Sequence, residues 1–122
     1  MTLNNKPSIL ICSSEIDFPE TWQQVLLGIE EEGIPYQIRQ DDEPQINHRA
    51  YRAAQASALA VGIACSSQEL IVHHRNLPEQ QPLFRAQLTP TPPPSQLRDL
   101  GSNAARLVKG IPFKNTLYQQ GE

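Results

Sequence analysis

Two short apolar runs, with a helical pattern between them, predict an α/β fold. The expected form is a single, three-layer-like domain with a mostly parallel sheet of about four to five strands and three main helices. The runs are SILIC (Ser8–Cys12) and AVGIAC (Ala60–Cys65), apolar at successive positions as in strands covered on both faces. The helical pattern is WQQVLLGIEEEGIP (Trp22–Pro35), which places Trp22, Val25, Leu26 and Ile29 at offsets 0, 3, 4 and 7, one face of a helix.

The elements follow in order. After the first strand, Ser13–Pro19 forms the loop at its carboxyl end, where α/β folds usually place sites. Asp17 or Thr21 can cap the first helix, Pro19 suits its first turn, and Gly33 with Pro35 ends it. Tyr36–Arg39 alternates as a second, more exposed strand, completing a β-α-β unit with a right-handed parallel crossover. The acidic loop Gln40–Asn47 leads into a second helix, His48–Leu59, with Asn47 as cap. In the strand that follows, Gly62 predicts close approach of a neighbouring element. Ser66–Gln68 turns tightly into Glu69–His73, antiparallel to the strand before it. Pro82–Leu88 reads as a last, edge-like strand, and Thr89–Pro94 as a polyproline-like connector. Ser95 caps the third helix, Gln96–Lys109, with Leu97, Leu100, Ala104, Leu107 and Val108 on one face. Gly101 costs that helix about 1 kcal/mol relative to Ala unless it permits close packing. Gly110 and Pro112 end it, so the ordered core is expected over 7–113, with a frayed tail to Glu122.

Composition narrows the function. The 122 residues carry a net charge of −3, with ten Lys and Arg spread along the chain. That argues against a nucleic-acid surface, which needs a basic stripe. The mean hydropathy is −0.45, and no stretch approaches the roughly 20 apolar residues of a membrane span. Cys12 and Cys65 each sit within an apolar run and read as buried free thiols of a reducing compartment, although one bridge between them is possible in principle. With no signal peptide pattern at the N-terminus, a soluble cytoplasmic protein is expected.

No glycine-rich phosphate loop, C-x-x-C pair or H-E-x-x-H motif occurs. Ser13 and Ser14 follow a strand, but nothing marks a base beside them. His73 and His74 have no further ligand at metal spacing and read as structural or surface residues. The feature left over is Glu30, Glu31 and Glu32 in the last turn of the first helix. Carboxylates there oppose the helix dipole, so the triplet is either a solvated acidic end or a place where a cation or partner uses them.

Three segments carry a resemblance: LLGIEEEGIP (Leu26–Pro35), VGIACSSQELIVHHRNLP (Val61–Pro78) and LGSNAARLVKGIPF (Leu100–Phe113). In order, over Ser8 to Phe113, they resemble the small subunit of diol or glycerol dehydratase-reactivating factors. The G-x-N-A-x-x-L-V-K pattern of the third is the most specific. The resemblance implies a fold similar to the dehydratase medium subunit and a non-catalytic role. Such a subunit works with a large subunit that is an actin- and Hsp70-like ATPase, in an assembly expected to be a heterotetramer. By nucleotide-dependent subunit exchange the factor opens an adenosylcobalamin-dependent dehydratase, so that damaged cobalamin leaves. This chain alone is expected to bind no cofactor, with Mg²⁺ and ATP or ADP held through the large subunit. Glu31 matches a glutamate that reaches the large subunit's divalent metal, as a hard oxygen ligand would. Glu30 and Glu32 are then interface or solvent residues. Asn103, Arg106 and Lys109, at spacings of three, line a polar face that is either structural or an interface. A cytoplasmic location follows, with association with a bacterial microcompartment left open. Two other readings stand beside this one: a medium-subunit-like component of a dehydratase, and a small α/β enzyme of unknown reaction.

Overall fold

A computed structural model of the chain describes residues 6–14, 20–66, 68–87, 94–114 and 119–120; for Thr21, Gln119 and Gln120 it describes the backbone alone. The Asp17 cap, Pro19, Ser67 and the connector from Thr89 to Pro93 lie outside the described residues.

The strands are β1 (Ile9–Ser13), β2 (Tyr36–Gln40), β3 (Val61–Cys65), β4 (Glu69–His74), β5 (Phe84–Gln87) and the two-residue β6 (Gln119–Gln120). The helices are α1 (Gln23–Glu31), α2 (Ile46–Ala56) and α3 (Pro94–Lys109), with a 3-10 turn over Glu20–Trp22 leading into α1. Strand order across the sheet is β2-β1-β3-β4-β5-β6. The α/β class and the three layers are as expected; the direction of the strands is only half so. β1 pairs parallel with β2 and β3, whereas β3–β4, β4–β5 and β5–β6 are antiparallel. The cause is connection length. A parallel return needs a crossover of about a dozen residues, usually a helix, and Ser66–Gln68 is too short to supply one.

Alternation along the strands builds two cores. Ile9, Ile11, Val61, Ile63, Leu70, Val72 and Phe84 point to the side covered by α1 and α3, where they meet Val25, Ile29, Leu100 and Ala104. Leu10, Ala64 and Ile71 point to the other side, against Ala50 and Ala53 of α2. Gly62 explains how α2 lies so close: a Cβ there would stand 2.2 Å from the Ala54 nitrogen. Cys12 faces α2 while Cys65 faces α1 and α3, so both remain free thiols on opposite sides of the sheet.

Several boundaries move for tertiary reasons. Trp22, not Thr21, holds the cap position of α1, and its buried indole donates from Nε1 to the Ser66 carbonyl (2.5 Å), tying the helix start to the β3–β4 turn. α2 begins at Ile46, so Asn47 is inside the helix rather than capping it; its Oδ1 accepts from Arg85 Nη2 (3.1 Å) on β5. α2 ends at Ala56 because Ser57 turns away to donate from Oγ to the Ser8 carbonyl (2.6 Å). α3 starts at Pro94, which places Ser95 in its first turn. Where a frayed tail is expected, Gln119–Gln120 pair with Phe84 and Arg85, so β5 is not the sheet edge.

Candidate functional site

α1 and α3 lie side by side and run parallel. Gln24 meets Arg98, Gly28 meets Ser102 and Glu32 meets Arg106, a constant offset of 74 residues. At the crossing the two backbones touch. A Cβ on Gly28 would stand 2.0 Å from the Arg98 carbonyl oxygen, and one on Gly101 would stand 1.9 Å from that of Val25. Close packing is therefore what the helix gains from Gly101.

This register carries the basic half of α3 to the carboxyl end of α1, where the glutamate triplet sits. Its three members have different surroundings. Glu30 accepts a hydrogen bond from the Tyr36 hydroxyl at Oε2 (3.1 Å). Glu32 is clamped: Arg106 Nε donates to Oε2 (3.0 Å) and Lys109 Nζ to Oε1 (2.7 Å), with a further bond from Lys109 to the Glu32 carbonyl (3.0 Å). The Lys109 bond above all, with Arg106 beside it, outweighs burial and holds the Glu32 carboxyl below the usual glutamate range. Glu31 is different again. Its side chain is 45% exposed, against 10% for Glu32, and its cations stand off at 3.5 Å (Arg98 Nη1 to Oε2) and 3.8 Å (Lys114 Nζ to Oε1).

The polar face of α3 is thus engaged within the chain. Arg106 and Lys109 neutralise Glu32 and the α1 terminus, a local answer to the dipole conflict. Asn103 is fully buried. Its Nδ2 donates to the Lys114 carbonyl (3.0 Å) and its Oδ1 accepts from the Lys114 N–H (2.6 Å), fastening the segment after α3 back onto the helix. Arg98, Gln24 and Lys114, which complete the charge arrangement, are not singled out by sequence reading. The available signal is the pair of rows Gln24, Gly28, Glu32 and Arg98, Ser102, Arg106, each at spacing four and complementary to the other.

Among the described residues, the other buried polar side chains are engaged in structural contacts. His73 is buried; the His74 N–H donates to its Nδ1 (3.0 Å), which leaves Nε2–H to donate to the Glu79 carbonyl (3.1 Å). Ser66 Oγ accepts the Gln68 and Glu69 N–H groups of its own turn. Arg49 is 2% exposed and donates from Nη2 to the Cys65 carbonyl (3.2 Å) and from Nη1 to that of Asp41 (3.5 Å). A cleft of about 380 Å³ opens beside β2, on the α2 side of the sheet, and Arg39, Asp41, Arg52 and Cys12 line it. Burial first, and Asp41 next, push the Cys12 thiol up, so it stays protonated and is a poor nucleophile. Among the described residues no group of three or more His, Cys, Asp or Glu could hold a metal ion, and no helix is long and apolar enough to cross a membrane.

With this geometry in hand, comparison with known proteins is specific. The dehydratase medium subunit family model matches residues 6–114. The chain is 43% identical over 115 residues to the propanediol dehydratase-reactivating factor small subunit of Salmonella typhimurium, spanning 94% of this chain and 97% of that protein. It is 50% identical over 95 residues to the protein of the same description from Citrobacter freundii, covering 78% of this chain and 80% of the relative. Among solved structures it superposes on a chain of the diol dehydratase-reactivating factor complexed with ADP and Mg²⁺, with a TM-score of 0.82 and 43% identity over 91% of this chain and all of that one. A glycerol dehydratase reactivase chain follows at TM-score 0.79 and 30% identity, covering 90% of this chain and 98% of that one. The fold is that of an α/β dehydratase medium subunit. The chain belongs to the dehydratase medium subunit family, and within it to the small subunits of the diol and glycerol dehydratase-reactivating factors.

Proposed function

We propose that this chain works as the non-catalytic partner of an ATPase large subunit, in a heterotetramer that exchanges subunits with an adenosylcobalamin-dependent diol or glycerol dehydratase to release damaged cobalamin. The Mg²⁺ and ADP of the similar solved complex support a nucleotide-bound assembly, and we place the nucleotide and its hydrolysis on the large subunit.

The observation that carries the metal assignment is the contrast within the triplet. Glu32 is spent on Arg106 and Lys109, and Glu30 is bonded to Tyr36, whereas Glu31 presents an exposed carboxylate with no cation at full contact. A single hard oxygen donor suits Mg²⁺, which takes one or two carboxylates and completes its shell from phosphates and water. The donor set fits a site shared with a partner, because among the described residues Glu31 stands without a cage of further ligands. Bound there, Mg²⁺ would neutralise nucleotide phosphate charge; Glu31 would tie that charge to this chain. Glu30 then lies at the rim of the same contact, and the exposed parts of Arg106 and Lys109 border it.

The test is co-purification with a reactivating-factor large subunit in Mg²⁺ and ADP. The wild-type chain is expected to form a complex, and Glu31→Ala to weaken it and to raise the Mg²⁺ concentration it needs. A Glu31→Ala chain that binds with unchanged Mg²⁺ dependence would refute the ligand assignment. Failure of the wild-type chain both to bind and to help restore a cobalamin-inactivated dehydratase would refute the wider reading. The family description favours one other role, a structural component of the dehydratase itself. It would show as stable assembly with the other dehydratase subunits.

A further inference from the structure

We propose that Arg98 and Lys114 are placeholder cations: they hold the Glu31 carboxylate in the free chain and release it when the complex forms. The inference rests on the assignment of Glu31 as a metal ligand and adds two positioning residues to it.

Each cation keeps other contacts if Glu31 leaves. Arg98 Nε and Nη2 both donate to Gln24 Oε1 (3.1 and 2.7 Å), and only Nη1 faces Glu31. Lys114 is held at its backbone by Asn103, and its Nζ lies between Glu31 Oε1 (3.8 Å) and Asp99 Oδ1 (3.6 Å). Each cation therefore has a second acceptor already in place, so withdrawal of Glu31 leaves neither stranded. The backbone of Arg98 is fixed as well, because its carbonyl is the group packed against Gly28 at the helix crossing.

Glu32, one residue away, differs in contact distance. Its two cations also have second acceptors, the Pro112 carbonyl for Arg106 and the Glu32 carbonyl for Lys109, but they hold the carboxylate at 3.0 and 2.7 Å, against 3.5 and 3.8 Å at Glu31. The chain thus clamps one acid and only parks its neighbour. Two cations near Glu31 also oppose an arriving Mg²⁺ by simple repulsion. They keep the carboxylate from serving as a general cation site in the free chain, while a metal presented with nucleotide phosphates brings enough compensating negative charge to displace them.

The experiment measures the Mg²⁺ concentration that gives half-maximal association of the full chain with a large subunit in ADP. Arg98→Met and Lys114→Met keep the apolar stems and remove the charges. Each is expected to lower the half-saturating Mg²⁺ by about two- to fivefold, the scale of an exposed ion pair, and neither is expected to change it when Glu31→Ala is also present. Glu32→Gln should leave that midpoint in place. An unchanged or raised midpoint in Lys114→Met, which spares the Gln24 contact and so the fold, would overturn the proposal. So would the same shift in the Glu31→Ala background, which would mean a general charge effect. Failure of the underlying assignment is separate: there Glu31→Ala alone keeps wild-type Mg²⁺ dependence.

Discussion

At the carboxyl end of α1, three consecutive glutamates meet carbonyl groups that already carry partial negative charge. From the sequence this conflict is visible, but its resolution is not, because the compensating cations lie 74 and 77 residues further on. Local patterns carry no information about such pairs. The energetic outcome is testable at Glu32. Its folded-state pKa lies below that of an unfolded glutamate, so the ionised form is favoured by folding. The contribution is complete above the ordinary value of about 4.3 and is lost as pH falls through the lowered one. Denaturant titrations should therefore find Glu32→Gln less stable than wild type by about 1 kcal/mol at neutral pH, given partial screening. The difference should narrow as pH falls below the ordinary glutamate range; a gap that does not narrow in acid would contradict the ion-pair account.

The pairing of α1 with α3 shows how much of an element can be read from its residues. Both apolar faces are explicit in the spacing, and both helices were expected at nearly their observed bounds. Gly101 is legible as a cost that only close packing can justify, yet nothing in the sequence names the Val25 backbone as what it packs on. α2 was less legible: Asn47 looks like a cap until β5 brings Arg85 to its side chain. Helix propensity and tertiary contact make opposite predictions for Gly101→Ala. Propensity alone expects a gain of about 1 kcal/mol. With a Cβ 1.9 Å from the Val25 carbonyl oxygen, the helices must separate, and a loss of about 1–3 kcal/mol is expected from overpacking. Thermal unfolding decides between the two by the direction in which the midpoint moves.

On the scale of the whole molecule, the β-α-β half of the sheet was readable from period and length, while the antiparallel half depended on short connections whose partners periodicity does not fix. The two halves share a core, and the chain's one tryptophan reports on it. Trp22 is fully buried between α1 and the β3–β4 turn, linking the parallel half to the antiparallel half. Its emission should be blue-shifted in the native chain and move red in one step that coincides with loss of helical circular dichroism. Two separated steps would mean that the halves unfold independently. The backbone contact at Gly28 and Gly101 also has a genetic consequence. Where two side chains meet, a damaging enlargement of one can be rescued by shrinking the other. Here a Cβ at either position meets backbone atoms, which no substitution can shrink. A screen for intragenic suppressors of Gly101→Ala should therefore recover nothing at position 25, and any revertants should fall on residues that let the helices move apart.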